Sequence, residues 1–305
     1  MDWSRIKLYY TDHIELPLPP GHRFPNEKYR RLREALLESG VVHPGQLVPG
    51  PEASLEDLFR AHDERYVRGF KAGTLAEKEI RPIGLPWSQE LYLRSASGAG
   101  GLIKASEEAL VHGYSGLLAG GTHHAHRSHG EGYCVFNDFA VAILTLLAKR
   151  KIQHALVLDL DVHQGNGNSS ILGSRSDVFV CSLHGEKNYP FRKVPSHLDV
   201  TLAPDTDDST YLAVLEETLE RIPQKTDILF YQAGVDVLKT DKLGSFALSL
   251  EGVRRRDRRV FEWARARQIP VVTCAGGGYA DPISDTVEAY RQTIVAARDI
   301  LFPLR

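Results

Sequence analysis

The sequence predicts an α/β fold in which a central, mostly parallel sheet carries helices on both faces. Two observations lead there. From Ser95 onward, long helical patterns alternate with short apolar runs, which is the order produced when crossover helices join parallel strands. Several of those runs are followed at once by glycine-rich or ionisable segments, and open parallel sheets carry their ligands beyond the carboxyl ends of the strands. At 305 residues the chain is long for one domain, but a single large α/β sheet reaches this size, and one domain over 1–305 is predicted.

The elements follow in order. Residues 6–10 form a strand candidate, and the proline- and glycine-rich stretch 16–25 reads as a loop at a rim. Asn26 is placed to cap a helix that begins at Glu27 and stops near Gly40, and a second helical pattern covers 54–70 with Ser54 as its cap. Breaks at Pro82, Gly84 and Pro86 surround Ile83, Leu85 and Trp87, which suits a loop leaning on the domain better than a linker. Beyond it, periodicity predicts helices over 100–112, 135–150, 209–222, 250–267 and 282–300, and strands over 117–119, 155–158, 178–183, 228–231 and 270–274. The basic run Arg254 to Arg259 lies mid-helix beside Val260, Phe261 and Trp263 and reads as a solvated helix face.

Composition narrows the function classes. Hydrophobic residues make up 42% and charged residues 25%, so a sizeable core is expected and disorder is not. A net charge of −2 argues against direct nucleic-acid binding. Cys134, Cys181 and Cys274 are odd in number, lack a CxxC spacing and read as reduced core thiols, which predicts a cytoplasmic protein. The N-terminal stretch lacks the pattern of a signal peptide, and no apolar run approaches the roughly 18 residues of a membrane span. Nothing in the sequence sets an oligomeric state.

The chemistry centres on residues 156–167, LVLDLDVHQGNG. An apolar strand delivers Asp159, Asp161 and His163 at alternate positions before a glycine-rich turn, and alternation puts all three on one side. Three ionisable groups on one side of a buried strand are costly unless paired. Carboxylates and an imidazole suit a borderline divalent ion, with zinc and ferrous iron poorly distinguished by such a set. Other strand ends supply GGTHHA with His123 and His124, QAGVD with Asp236, and AGGGY with Tyr279. Singly, each has a bland reading: a polar loop, a turn device, a helix cap, a packed tyrosine. Together they are the inventory of a metallohydrolase, with ligands for the ion, bases for water and a hydroxyl for an oxyanion. His126 and His129 read as solvated loop residues.

The combination of GGTHHA, GYCVFND, LDLDVHQGNG, QAGVD with LGSFALS, and AGGGY resembles the histone deacetylase family of zinc amidohydrolases within the arginase and deacetylase fold. Residues 12–36 and EKNYPF add a resemblance to bacterial, class IV-like members. The resemblance implies a single three-layer domain with a sheet of about eight strands. It implies Asp161, His163 and Asp236 as ligands of Zn2+, with Fe2+ as the alternative. It makes His123 and His124 the proton-handling pair, Asp159 the acid behind His123, and Asn166, where other members carry an acid, the partner of His124. An amide supplies no charge, so a less basic His124 is expected. Tyr279 becomes the oxyanion donor, and Gly132, Tyr133 and Leu243 line a channel for the lysine stem, with Tyr189 or Phe191 on the opposite wall. A structural K+ is implied at Asp159, Asp161, His163, Ser182 and Leu183. The implied substrate is an acyl-lysine protein or peptide, with an acylated polyamine, a long-chain acyl-lysine or mere acyl-lysine binding as alternatives. A ureohydrolase is disfavoured because Gly165 stands where a two-metal site wants an aspartate.

Overall fold

A computed structural model describes residues 2–223 and 225–303. In chain order the strands and helices are β1 (Leu8–Tyr10), α1 (Glu27–Glu38), β2 (Leu47–Pro49), α2 (Leu55–Ala61), α3 (Glu64–Ala72), α4 (Glu77–Ile80), α5 (Gln89–His112), β3 (Tyr114–Leu117), α6 (Asp138–Ala148), β4 (Ala155–Asp159), α7 (Asn166–Leu172), β5 (Val178–Gly185), β6 (Leu198–Leu202), α8 (Asp208–Glu220), β7 (Ile228–Gln232), α9 (Leu250–Ala266), β8 (Val271–Cys274) and α10 (Ile283–Leu301). The strands form one eight-stranded sheet in the order β2-β1-β3-β8-β7-β4-β5-β6, and every neighbouring pair runs parallel.

Three layers follow from strand alternation. On β4, Leu156 and Leu158 join one apolar cluster with α1, α8, α9 and α10, while Ala155 and Val157 join another with α2, α3, α5 and α6. Both faces are therefore buried, which is why the strands read as continuous apolar runs. The order of strands also makes neighbours of segments distant in sequence. Leu117, Cys274, Gln232, Asp159 and Ser182 lie side by side across β3, β8, β7, β4 and β5. The segments after β3, β8, β7 and β4 consequently share one edge of the sheet.

Several elements depart from the sequence expectation for identifiable reasons. Helix α5 begins at Gln89, well before residue 100, because Ser88 caps it and Gly100 is a packing device: a Cβ there would lie 2.1 Å from the Pro51 carbonyl oxygen. The expected helix over 54–70 is two helices, since His62 and Asp63 are extended. There the Asp63 amide bonds to the Arg127 carbonyl and the His62 ring bonds to the His126 carbonyl and the Asn137 amide. Ser54 does cap α2, but Asn26 makes no capping bond and instead accepts from Arg94 Nη1 at 2.5 Å. The turn expected at Gly165 and Gly167 is helix α7, and β2 and β6 are short strands that periodicity did not reveal. Arg254 and Arg255 are exposed, yet Arg256 and Asp257 from the same basic run are fully buried against each other.

Candidate active site

The carboxyl edge of β4 supplies the first part of the site. Strand pairing stops at Asp159, but alternation continues: Leu158, Leu160 and Val162 pack into one apolar cluster, leaving Asp159, Asp161 and His163 on the opposite side. Asp161 Oδ1 and Asp236 Oδ2 each lie 3.1 Å from His163 Nδ1. Ligand atoms of these three buried residues all fall within 4.8 Å of one another. Asp161 Oδ2 accepts the Gly277 amide at 3.0 Å, and Asp236 Oδ1 accepts the Val162 amide at 3.1 Å. Only glycine fits at 277, since a Cβ there would meet Asp236 Oδ2 at 1.9 Å.

This cradle concentrates negative charge among buried side chains. Burial and the neighbouring Asp161 raise Asp236 to about 7. Burial would raise Asp161 as well, but the imidazoles of His123 and His163 override it and hold that carboxyl below its usual range. Burial opposes a charged His163, whereas hydrogen bonds to Asp161 and Asp236 carry it up to about 10. Two adjacent buried carboxylates thus call for positive charge, and a divalent cation meets the same demand. One imidazole and two carboxylates, with backbone amides orienting the oxygens, fit an ion that keeps coordination positions open.

Two imidazoles stand beside the cradle with their centroids 4.1 Å apart. His123 Nδ1 is 2.8 Å from Asp159 Oδ2 and His124 Nδ1 is 2.7 Å from Asn166 Oδ1. The opposite nitrogen of His123 lies 3.9 Å from Asp161 Oδ1. Their environments pull the pair apart. Burial lowers both, but the Asp159 and Asp161 carboxylates bring His123 up to about 9. Burial and the neighbouring His123 and His163 leave His124 well below the usual histidine range, and the Asn166 bond does not offset this. Asp159 itself contacts His123 and the Asp161 amide rather than joining the three-residue cradle.

A cavity of about 580 Å³ leads to these groups and is lined by Asp161, His163, Asp236, His123, His124 and Tyr279 at its floor. Gly132, Tyr133 and Leu243 also line it. Of the two aromatics after His184, Tyr189 packs edge-on to His124 at 4.9 Å, whereas Phe191 is 91% exposed at the mouth. Leu16, Tyr29, Leu91, Arg94 and Gly98 line the same cavity. Ser182 pairs in register with Asp159 and its Oγ contacts His184 Nδ1 at 2.9 Å, while Leu183 is buried beside it.

A model of the histone deacetylase domain matches residues 22–294. The chain belongs to the histone deacetylase family. It is 40% identical to an uncharacterized protein of Picosynechococcus sp. over 297 residues, covering 96% of this chain and 98% of that one. It is 31% identical to a histone deacetylase-like amidohydrolase of Pseudomonas aeruginosa, covering 88% of this chain and 75% of the relative. The fold matches the crystal structure of a histone deacetylase homologue from Aquifex aeolicus with a TM-score of 0.81 at 22% identity, over 98% of this chain and 88% of that one. This family member is therefore a hydrolase of the deacetylase and amidohydrolase kind, with the eight-stranded sheet that the resemblance implied.

Three residues of the site lay outside the sequence reading. Glu131 accepts from Asn166 Nδ2 at 2.7 Å, so the amide that holds His124 is itself held by a carboxylate. Its place between the histidine-rich loop and Gly132 was the available signal. Lys28 is completely buried and donates to the Gly278 carbonyl at 3.0 Å, directly before Tyr279. Nothing in a basic helix start marks one lysine as internal. Gln232, at the centre of the aligned row, donates to the Gly121 carbonyl at 2.9 Å and braces the turn before the two histidines. Gln164 ties to the Val194 carbonyl and Asp199 and so anchors the segment leading to β6. His126 is only 17% exposed and bonds to Asn166, contrary to a solvated reading.

Proposed function

We propose that this deacetylase-family hydrolase cleaves acyl groups, acetyl foremost, from the ε-amine of lysine in proteins or peptides. The observation that carries this reading is the arrangement on one cavity floor: a buried two-carboxylate, one-imidazole cradle, two histidines of opposed basicity, and a half-buried tyrosine. Zinc, or ferrous iron, held by Asp161, His163 and Asp236 would supply Lewis acidity to the acyl carbonyl and to water. His124 is neutral at physiological pH and takes the proton from water. His123, held protonated beside Asp159, gives a proton to the departing lysine amine. Tyr279 donates its hydroxyl to the oxygen of the acyl group as charge builds there. Gly132, Tyr133, Tyr189 and Leu243 enclose the lysine stem and exclude water from it.

The same reading assigns a structural K+ to Asp159, Asp161, His163, Ser182 and Leu183, whose support is the register that sets Asp159 beside Ser182. It places the protein in the cytoplasm, in keeping with three buried free thiols. Among the described residues no helix is long and apolar enough to cross a membrane. A second reading has one observation in its favour. The cavity, at about 580 Å³ and lined also by Leu16, Tyr29, Leu91 and Gly98, is larger than an acetyl group and a lysine stem need, so long-chain acyl-lysine is a competing substrate class.

One experiment separates these readings. The full chain is assayed against acetyl-lysine and myristoyl-lysine peptides and acetylspermidine, before and after chelation and after restoration with Zn2+ or Fe2+. Highest kcat/KM on acetyl-lysine, lost on chelation and regained with one ion, is the expected result. Preference for the myristoyl peptide or acetylspermidine transfers the assignment to that class. A metal-bearing preparation that turns over none of them refutes hydrolysis and leaves acyl-lysine binding.

A further inference from the structure

A second cluster of ligand-type side chains lies behind the active-site histidines, in the loop between β3 and α6. The loop doubles back through a bond from the His126 amide to the His129 carbonyl at 2.9 Å. That turn stacks the two imidazoles, with centroids 4.6 Å apart and planes within 8°. Both present Nε2 to a single carboxylate: His126 lies 3.6 Å from Glu131 Oε1, and His129 lies 3.9 Å from Glu131 Oε2. All three ligand atoms fall within 4.8 Å of one another, the same criterion met by the buried cradle. Neither His126 nor His129 takes part in the hydrolytic mechanism, and Glu131 enters it only through Asn166.

The chemistry of this cluster is that of a metal site rather than of a salt-bridged surface. Around a tetrahedral ion with bonds of about 2.0–2.2 Å, ligand atoms stand roughly 3.4 Å apart. The 3.6 Å between His126 and Glu131 is close to that, and His129, nearest the other carboxylate oxygen, must move further to join the same ion. With Nδ1 protonated each ring keeps its Nε2 lone pair free, and Ser128 Oγ lies 3.3 Å from His129 Nδ1. Because the two planes are within 8° of parallel, a shared ion requires the exposed His129 ring to turn toward His126. The carboxylate is held by Asn166 Nδ2 at 2.7 Å, the kind of outer bond that orients a metal ligand. Burial would raise Glu131, but hydrogen bonds with His126, Asn166 and Tyr189 bring it down to about 2, so it is ionised. His129 is 45% exposed, which gives an entry path and room for water ligands.

We propose that His126, His129 and Glu131 form a second divalent transition-metal site, half-open to solvent and separate from the buried cradle, with water completing the coordination of an ion of the zinc class. Such an ion would take the His126 Nε2 that Asn166 Nδ2 now contacts at 3.0 Å, placing it one residue removed from His124.

The test is a metal-to-protein ratio, which does not depend on turnover. The full chain and the variants His129→Ala and Asp161→Asn are dialysed to equilibrium against buffered Zn2+, and bound zinc is counted per chain. Two equivalents in the wild type and one in each variant are expected. A single wild-type equivalent that His129→Ala loses and Asp161→Asn keeps supports the loop site while overturning the buried one. A single equivalent lost in Asp161→Asn and kept in His129→Ala overturns the loop site, as does a ratio that His129→Ala leaves unchanged. His129→Ala changes a half-exposed loop side chain, and its thermal unfolding midpoint under chelation reports whether it folds.

Discussion

The ammonium of Lys28 lies 4.6 Å from the ring centroid of Tyr279 and, through the Gly278 carbonyl, holds the backbone from which that tyrosine projects. The lysine has no carboxylate in contact among the described residues. Rings of Phe24, Tyr29 and Tyr290 complete its cage, and burial lowers it to about 8 against the opposing pull of Asp236, Asp241 and Asp161. A hydrogen bond to a charged group is worth about 1.5–3 kcal/mol. If that energy keeps Tyr279 in place, Lys28→Met lowers kcat by roughly 10- to 100-fold with KM nearly unchanged. The thermal midpoint should change little, because the bond lost to the Gly278 carbonyl is offset by relief from a buried charge in an aromatic cage. Steady-state kinetics and thermal unfolding on one preparation check both halves.

Tyr279 itself has one polar atom to offer the reaction. Tyr279→Phe should reduce kcat by roughly 10²- to 10³-fold, the loss typical of one oxyanion donor, while the chain keeps its zinc. An unchanged deacylation rate in a variant of normal metal content would remove the oxyanion role.

The bond between Asn166 and His124 predicts a pH shift with a definite sign. Replacing the amide by a carboxylate in Asn166→Asp favours the charged imidazole and raises His124 from its depressed position. Less of the neutral base then remains at a given pH. The acidic limb of the kcat profile should move to higher pH in the variant, and a profile identical to that of the wild type would separate His124 from proton removal.

Arg256 links the core to the site. Its guanidinium is fully buried, bonds to Asp257 Oδ1 at 2.8 Å, and holds the Gly234 carbonyl at 2.6 Å two residues before Asp236. Arg256→Met leaves Asp257 charged and unpaired, so denaturant unfolding should show a loss of about 3–5 kcal/mol. Zinc affinity should fall with it, since the backbone that carries Asp236 loses its anchor.

His62 predicts a stability loss in weak acid. It is buried, contacts the His126 carbonyl and accepts the Asn137 amide, and burial lowers it to about 4. The unfolded chain takes up a proton near pH 6.5 that the folded chain refuses until about 4. The contribution is therefore whole above pH 6.5 and is lost as pH falls towards 4, by up to about 3 kcal/mol. The difference in unfolding free energy between wild type and His62→Asn should shrink over that window.

Much of this was legible before folding. Alternation predicted that Asp159, Asp161 and His163 would share one side, and they do so although Asp161 and His163 lie just past the end of β4 at Asp159. Apolar runs marked the inner strands because both faces of a parallel sheet are covered. What local pattern misled about had long-range causes. Gly98, Gly100 and Gly101 hid the first half of α5; of these, Gly100 and Gly101 let the backbone after β2 pass close by. A run of arginines looked solvated, although one of them completes a buried pair.

The sequence by itself determined which side chains reach the sheet edge and what chemistry they carry, since residue type and strand period depend on neighbours in the chain. Only the tertiary structure decided who meets whom. Pairing in the order β3-β8-β7-β4 sets Asp236 against Asp161, carries Glu131 to Asn166 and seats Lys28 of α1 under Tyr279. Those contacts join residues up to 250 positions apart, and no local periodicity encodes a contact that exists only after distant strands have paired.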